Sequence, residues 1–163
     1  RGIGRAIALA LLAQENRLRV VGADVSGDAL ATAVFNADIN GLSDRFLTLR
    51  SDWYRGIIGR FHMIVSNPPY IASSQIADLH REVRDHDPLA ALDGGDDGLD
   101  AYRAIAEGAA DHLQPDGVVA VEIGHDQSDT VPDIFANHGF RLVDSRRDLG
   151  GTVRALMFDS LAA

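Results

Sequence analysis

Apolar and polar residues alternate in blocks along this chain, and the blocks predict an alternation of helices and strands. Apolar positions spaced three and four residues apart indicate helices, whereas short runs of Val, Ile and Leu indicate buried strands. Alternating helices and strands predict an α/β fold, a mostly parallel sheet with helices on both faces. The predicted elements, in chain order, are a helix over 5–14, a strand over 18–23, a helix over 28–40, strands over 46–49 and 61–65, a helix over 99–113, a strand over 118–123, a helix over 128–138, and strands over 140–143 and 153–158.

Between the strand at 61–65 and the helix at 99–113, the chain is polar and becomes rich in Gly and Asp. This composition predicts that 72–97 is mainly a loop containing one short helix. The two closing strands are joined by 145–152, so we expect them to form a hairpin-like antiparallel edge. We expect residues 1–163 to form a single catalytic domain.

The charge of the chain narrows the classes of function. Its 163 residues carry a formal net charge of −9, which disfavours unaided binding to nucleic-acid phosphates. The absence of cysteine excludes disulfide and thiolate chemistry and fits a reducing compartment such as the cytoplasm. All 15 basic residues are arginine, so mechanisms with a catalytic lysine are excluded. No apolar run is long enough to span a membrane, so we expect no membrane partner.

The most informative segment is Asn67-Pro68-Pro69-Tyr70, which follows the predicted strand 61–65. Proline lacks an N–H donor and fixes φ, so the two prolines end the strand abruptly. Ligands of open α/β sheets bind at the carboxyl ends of strands, which makes this rigid polar segment a candidate site. The alternative is an Asn-Pro-Pro turn with a packing tyrosine.

These residue types suit a planar nitrogen as substrate. The Asn67 side-chain oxygen and the Pro68 carbonyl oxygen can each accept a hydrogen bond from an N–H group, which pushes electron density onto the nitrogen. Tyr70 offers a flat face to the planar group. Catalysis then depends mostly on positioning, without a strong base. The segment resembles the signature of methyltransferases that use S-adenosylmethionine (AdoMet) on amide or amine nitrogens. The candidate catalytic residues are therefore Asn67, Pro68 and Tyr70, and the same three with Pro69 are the candidate substrate-binding residues.

Acidic residues near two earlier strand ends indicate a site for the methyl donor. Asp24 ends the first predicted strand, a position where a carboxylate accepts hydrogen bonds from ribose hydroxyls. The alternative for Asp24 is a turn or N-cap role, for which Ser26 and Asp28 also compete. Asp52 can accept a hydrogen bond from an adenine amino group, and Trp53 can stack on the ring. The alternative for Trp53 is plain packing in the core.

Gly2 and Gly4 look like the end of a glycine-rich turn between a strand and a helix, where the backbone approaches a ligand closely. With Asn67, they complete the predicted cofactor-binding residues. A nucleotide-binding α/β unit needs a central strand before such a turn, so we expect a first strand upstream of Arg1. The same segment also looks like a short-chain dehydrogenase, in which Asp24 would select NAD. That family needs a Tyr-x-x-x-Lys pair, which a chain without lysine cannot supply.

Further segments narrow the family. Besides the tetrapeptide, they are Glu82-Val83-Arg84-Asp85-His86-Asp87-Pro88, Ala91-Leu92-Asp93-Gly94-Gly95, Asp97-Gly98-Leu99-Asp100, Tyr102-Arg103, Glu122-Ile123-Gly124 and Arg147-Asp148-Leu149-Gly150-Gly151. With them, the chain resembles from end to end the HemK/PrmC family, the protein-(glutamine-N5) methyltransferases that act on peptide chain release factors. The tetrapeptide alone is shared with adenine-N6 DNA methyltransferases and some rRNA methyltransferases.

The resemblance implies a Rossmann-like AdoMet-dependent methyltransferase fold and a release factor as protein partner. It implies that Asn67 and the Pro68 carbonyl hold the glutamine amide of a Gly-Gly-Gln loop, and that Asp24 and Trp53 contact AdoMet. The product would be S-adenosylhomocysteine, and no metal is required. Two other functions stay open: an N6-adenine or N2-guanine nucleic-acid methyltransferase, and a truncated module without activity.

The sequence departs from the family at its start. Family members carry a helical domain before the catalytic domain, and we expect the chain from Arg1 to lack it and to retain only the end of the glycine-rich turn. The charged residues 84–87 are expected to form a loop pinned by ion pairs rather than a metal site. Glu122 is expected to support either the site or the loop around Asn67.

Overall fold

The computed structural model describes residues 3–79 and 88–161. The chain forms two compact units, Arg1–Ile58 and Gly59–Ala163. The first unit contains helix α1 (Ile3–Gln14), strand β1 (Val20–Asp24), helix α2 (Gly27–Ile39) and strand β2 (Phe46–Arg50). The second contains strand β3 (Phe61–Ser66), helix α3 (Asp100–His112), strand β4 (Leu113–Glu122), helix α4 (Thr130–Asn137), and strands β5 (Phe140–Arg147) and β6 (Val153–Ser160).

In the first unit, β1 and β2 pair in parallel, with Asp24 opposite Arg50. The unit has its own apolar core, which contains Leu12, Ala33, Ala37, Leu42 and Phe46. The predicted helices and strands of this unit are confirmed, with ends that differ by one to two residues.

Specific residues begin and end helix α2. Ser26 is the N-cap, since its hydroxyl accepts the N–H of Ala29 at 3.2 Å. At the other end, Gly41 takes a φ of +65°, which glycine adopts without steric cost. The helix therefore ends within one residue of its predicted limit at residue 40.

In the second unit, four strands form a sheet in the order β3-β4-β6-β5. Strands β3 and β4 are parallel and are linked through α3, whereas β6 runs antiparallel to both β4 and β5. The predicted antiparallel edge at the end of the chain is confirmed. Between β3 and α3, the described residues contain two short 3-10 helices, Ser73–Asp78 and Leu89–Ala91.

Strands β4 and β5 differ from their predicted limits more than the other two strands of this sheet do. Strand β4 begins at Leu113, well before the predicted start at residue 118, and its register with β3 jumps from the pair Phe61 and Leu113 to the pair Met63 and Val118. The segment Pro115-Asp116-Gly117 therefore forms a bulge inside the strand, because proline cannot donate to the ladder. Strand β5 continues to Arg147 through residues that are mostly exposed and charged. Apolar runs do not mark the end of such a strand, because it lies at the edge of the sheet.

Three aromatic rings fill the core of the second unit. Phe135 of α4 stacks on Phe158 of β6 with the ring centroids 4.0 Å apart, and its ring meets that of Phe140 edge-on at 5.9 Å. All three side chains are buried. This cluster joins α4 to the antiparallel half of the sheet.

We expect Phe135→Ala to lower the free energy of unfolding by about 3–5 kcal/mol, because it leaves a cavity between two buried rings. Urea denaturation followed by circular dichroism measures the loss. Leu149→Ala is the control, since Leu149 is fully exposed and its truncation should change stability by less than about 0.5 kcal/mol. Equal effects of the two substitutions would contradict this account of the core.

Candidate active site

The segment Asn67–Tyr70 leaves the sheet at the carboxyl end of β3, as the sequence predicts. The last pair of the parallel ladder joins Ser66 of β3 to Val121 of β4, so two strands end beside the segment. Pro68 is buried, whereas Asn67 and Tyr70 are half-buried. This is the edge of an α/β sheet at which ligands bind.

A buried glutamine that sequence reasoning missed holds the far end of this segment. The Nε2 group of Gln127 donates to the Tyr70 and Gly98 carbonyls, at 3.1 Å each. Its Oε1 accepts the N–H of Gly124 at 2.9 Å and lies 3.0 Å from the Tyr102 hydroxyl. All four hydrogen-bonding positions of the amide are therefore used. Burial raises the pKa of Tyr102, so its hydroxyl stays a neutral donor.

The segment 92–98 lies alongside Ile71, directly after the tetrapeptide. The Ile71 N–H donates to Leu92 at 3.1 Å, and the Ile71 carbonyl accepts the N–H of Gly94 at 2.8 Å. Gly98 has a φ of +75°, and a Cβ at this position would lie 2.5 Å from the Tyr70 carbonyl oxygen. The close approach of the two backbones therefore requires glycine at 98.

Acidic residues of this segment have structural partners. Asp93 accepts from the Ser73 hydroxyl at 2.7 Å and from the Gly95 N–H at 3.0 Å, and these bonds lower its pKa. Asp97 binds the Arg103 guanidinium at 2.6 Å, which lowers the pKa of that carboxyl. Both carboxylates thus stabilise the loop as anions.

Tyr70 also contacts Arg154 of β6. The Arg154 guanidinium carbon lies 5.8 Å from the centroid of the Tyr70 ring, and its Nη2 lies 3.4 Å from the Tyr70 hydroxyl. The Glu122 carboxylate is 3.9 Å from the same guanidinium. Glu122 therefore lies near the arginine that contacts Tyr70, and its supporting role stays a prediction.

In the first unit, Asp24 lies beside the turn that carries Asp52 and Trp53. The N–H of Ser51 donates to the Asp24 carbonyl at 3.1 Å. One carboxylate oxygen of Asp24 accepts the N–H of Ser26 at 2.8 Å, so the turn role considered for Asp24 is real. Asp52 is exposed.

Trp53 has an unusual backbone. Its φ of +50° is a conformation that residues other than glycine rarely adopt. The buried Ser51 holds this turn, because its hydroxyl lies within hydrogen-bond distance of the Trp53 and Arg55 carbonyls, at 2.8 and 2.5 Å. The Trp53 side chain is 39% exposed, so it is not a core residue. A strained and exposed aromatic residue is typical of a binding site.

Other predicted residues are only partly described. Gly4 lies in the first turn of α1, whereas Gly2 and the charged residues 82–87 lie outside the described residues. In the part of the chain that the structure describes, no three His, Cys, Asp or Glu side chains lie close enough to hold a metal ion. No helix among these residues is long and apolar enough to cross a membrane.

Comparison with known families identifies this architecture. The family model of the methyltransferase small domain matches residues 2–83. The chain belongs to the methyltransferase small domain family. The matched region includes the Asp52-Trp53 turn, β3 and the Asn67–Tyr70 segment.

Curated relatives narrow the comparison. The chain is 54% identical over 153 residues to the release factor glutamine methyltransferase of Agrobacterium fabrum, which covers 94% of this chain and 53% of that protein. Two other bacterial proteins with the same name, from Caulobacter vibrioides and Bradyrhizobium diazoefficiens, are 42% and 44% identical to this chain. The resemblance predicted from the sequence is thereby confirmed. The chain spans about half the length of these curated relatives.

Solved structures identify the fold. A methyltransferase from Pyrococcus furiosus has a TM-score of 0.68 at 20% identity, covering 94% of this chain and 68% of that chain. A Streptococcus pneumoniae methyltransferase solved in complex with S-adenosyl-L-methionine has a TM-score of 0.64 at 12% identity, covering 98% and 63% of the two chains. The predicted Rossmann-like methyltransferase fold is confirmed.

Sequence reasoning missed two residues of the candidate site, Gln127 and Arg154. The sequence feature that could have identified Gln127 is its place three residues after Glu122-Ile123-Gly124, at the end of a buried strand. Arg154 gave no local signal, because it resembles any charged residue on an edge hairpin.

We expect Gln127→Ala to lower the free energy of unfolding by on the order of 3 kcal/mol, because it leaves several buried backbone groups without partners. Gln127→Glu should be as harmful, since it replaces the donor group with an oxygen that faces two carbonyls. Thermal and urea unfolding measure both effects. Gln75→Ala, at an exposed position, should be nearly neutral, and an equally neutral Gln127→Ala would refute the role of this amide.

Proposed function

We propose that this chain is the catalytic domain, 1–163, of an AdoMet-dependent methyltransferase that methylates the side-chain amide nitrogen of a glutamine in peptide chain release factors. The observation that carries the proposal is the 54% identity to a release factor glutamine methyltransferase, together with Asn67–Tyr70 at the end of β3. The absence of cysteine fits action in the cytoplasm.

Asn67, Pro68 and Tyr70 are proposed to hold the glutamine amide of the Gly-Gly-Gln loop. The Asn67 side-chain oxygen and the Pro68 carbonyl accept the two N–H groups, which raises the electron density on nitrogen and fixes its direction. Among the described residues, no group hydrogen-bonds the Asn67 side chain, so its amide can bind a ligand. Pro69 lines the site, and Tyr70 places its ring against the planar amide.

The chain's own residues fit the proposed methyl donor. One oxygen of Asp24 is fixed by the Ser26 N–H, and the other can accept from a ribose hydroxyl. Asp52 and the exposed ring of Trp53 suit an adenine amino group and its ring face. Glycine at positions 2 and 4 would permit close backbone approach of the donor, and Asn67 completes the proposed set. AdoMet supplies an electrophilic methyl group on a sulfonium.

The proposed transfer is balanced without a metal or a strong base. The amide nitrogen forms its bond to the methyl carbon as the carbon–sulfur bond breaks, and that electron pair stays on sulfur. The nitrogen then loses one proton to solvent, which leaves the methylated amide and S-adenosylhomocysteine. The chain contributes hydrogen-bond acceptors that are already in place before the reaction.

Two measurements on the full chain test the function. Calorimetry with AdoMet tests binding of the methyl donor, and no binding would favour a module without activity. Labelled AdoMet with a release factor tests transfer, with a release factor whose Gly-Gly-Gln glutamine is replaced by alanine as the control. DNA and rRNA are the competing acceptors. Transfer to nucleic acid and not to the release factor would favour a nucleic-acid methyltransferase instead.

We expect Asn67→Ala to lower kcat for the release factor by about 100-fold or more, because it removes an acceptor that positions the amide nitrogen. AdoMet binding should stay largely intact by calorimetry. Asn137→Ala is the matched control, at an exposed position on α4. Normal turnover by the Asn67 variant would rule out this mechanism.

We expect Asp24→Asn to raise the Kd for AdoMet by about tenfold to 100-fold, because it removes the charge that strengthens hydrogen bonds from ribose. The asparagine oxygen can still accept the Ser26 N–H, so the turn should persist. Calorimetry measures the change. Asp38→Asn, on the exposed side of α2, should leave the Kd unchanged, and the same result for Asp24→Asn would exclude ribose recognition by this residue.

A further inference from the structure

Arg154 contacts the one aromatic side chain of the candidate active-site segment. We infer that Arg154 is a positioning residue, which sets the orientation of the Tyr70 ring for methyl transfer. The inference rests on the proposed function and goes beyond it, since it assigns a role to a residue of β6 far from Asn67–Tyr70 in sequence. It is carried by the contacts on both sides of the guanidinium.

The backbone of Arg154 is fixed by the sheet. Its carbonyl accepts the N–H of Ile123 at 3.0 Å, and the neighbouring Ala155 pairs with Glu122 in the antiparallel ladder of β4 and β6. The start of β6 therefore lies beside the carboxyl end of β4. The Cα of Arg154 is therefore fixed, and the position of its guanidinium depends on the groups that contact it.

Two carboxylates lie at ion-pair distance from the guanidinium. Glu122 lies 3.9 Å from Nη2 of Arg154, and Asp148 lies 4.0 Å from Nε. The other oxygen of Asp148 accepts the N–H groups of Gly150 and Thr152 at 2.9 and 3.0 Å, so this carboxylate is part of the turn between β5 and β6. The Arg154 side chain is 31% exposed. The guanidinium thus has negatively charged neighbours on two separate elements, which favour its position beside Tyr70.

Tyr70 is consequently held at both ends. Gln127 binds its backbone carbonyl at 3.1 Å, and Arg154 lies within 3.4 Å of its hydroxyl and 5.8 Å from its ring centroid. A guanidinium is planar and keeps its hydrogen-bond donors in a fixed fork, so it can contact the ring and the hydroxyl at once. A lysine ammonium is a point charge on a flexible stem and cannot match both contacts.

The experiment measures kcat and KM for a release factor, AdoMet affinity and melting temperature for the full chain. Arg154→Met should lower kcat by about tenfold to 100-fold, because a small misplacement of the amide is sufficient to slow transfer. Arg154→Lys should recover only part of the loss. Both variants should bind AdoMet as the wild type does. In a Tyr70→Ala background, Arg154→Met should cause no further loss, since the ring that it supports is gone.

Arg141→Met is the matched control. Arg141 is also a strand arginine with a carboxylate partner, Asp159 at 2.7 Å, but Asp159 pairs with Val118, at the opposite end of the paired part of β4 from Glu122. The kcat of the Arg141→Met variant should equal that of the wild type.

The outcomes separate the two claims. A wild-type chain that binds AdoMet but does not methylate a release factor overturns the proposed function, and this inference with it. A wild-type chain that methylates the release factor while Arg154→Met and Arg154→Lys keep its kcat overturns the inference alone. The same is true if Arg154→Met causes an equal loss with and without the Tyr70 ring. If Arg154→Met melts early, the comparison of Arg154→Lys with the wild type decides in its place.

Discussion

The architecture of the candidate site depends on the buried amide of Gln127. This side chain joins the Asn67–Tyr70 segment, the Gly98 turn, the end of β4 and α3 through four hydrogen bonds. A primary amide is costly to bury unless all its donors and acceptors are used, so these parts of the chain can approach one another only in an arrangement that satisfies it. The end of the candidate segment is thereby fixed by a residue 57 positions away in sequence.

This constraint gives the candidate segment its rigidity. Pairing of Ser66 with Val121 holds one end, Gln127 holds the other, and two prolines restrict φ between them. Hydrogen-bond acceptors held in this way lose little freedom when an amide binds, which is how preorganised polar groups favour a reaction. The acidic residues nearby serve a different purpose. Asp93 has structural partners that lower its pKa, so it suits a fixed turn rather than general acid-base chemistry.

Local patterns predicted most elements of the fold and the position of the candidate segment. They were sufficient because strand runs, helix spacing, the Ser26 cap and the prolines each act within a few residues. Patterns did not predict the early start of β4, where a strand resumes across a bulge at Pro115. They also missed Gln127 and Arg154, whose contacts with Tyr70 join residues 57 and 84 positions apart. Such contacts depend on the folded topology and produce no periodic pattern in the sequence.

A structural role and a ligand-binding role are compatible at Asp24 and at Tyr70. A turn role for Asp24 and a ligand role were separate possibilities, but an oxygen bound to the Ser26 N–H fixes the plane of the carboxylate and leaves its second oxygen to bind. Tyr70 likewise combines two possibilities. Its ring packs against the Arg154 guanidinium, and it is also part of the candidate site. A side chain already ordered by the fold loses less conformational entropy on binding. The structural roles of Asp24 and Tyr70 therefore support the binding roles proposed for them.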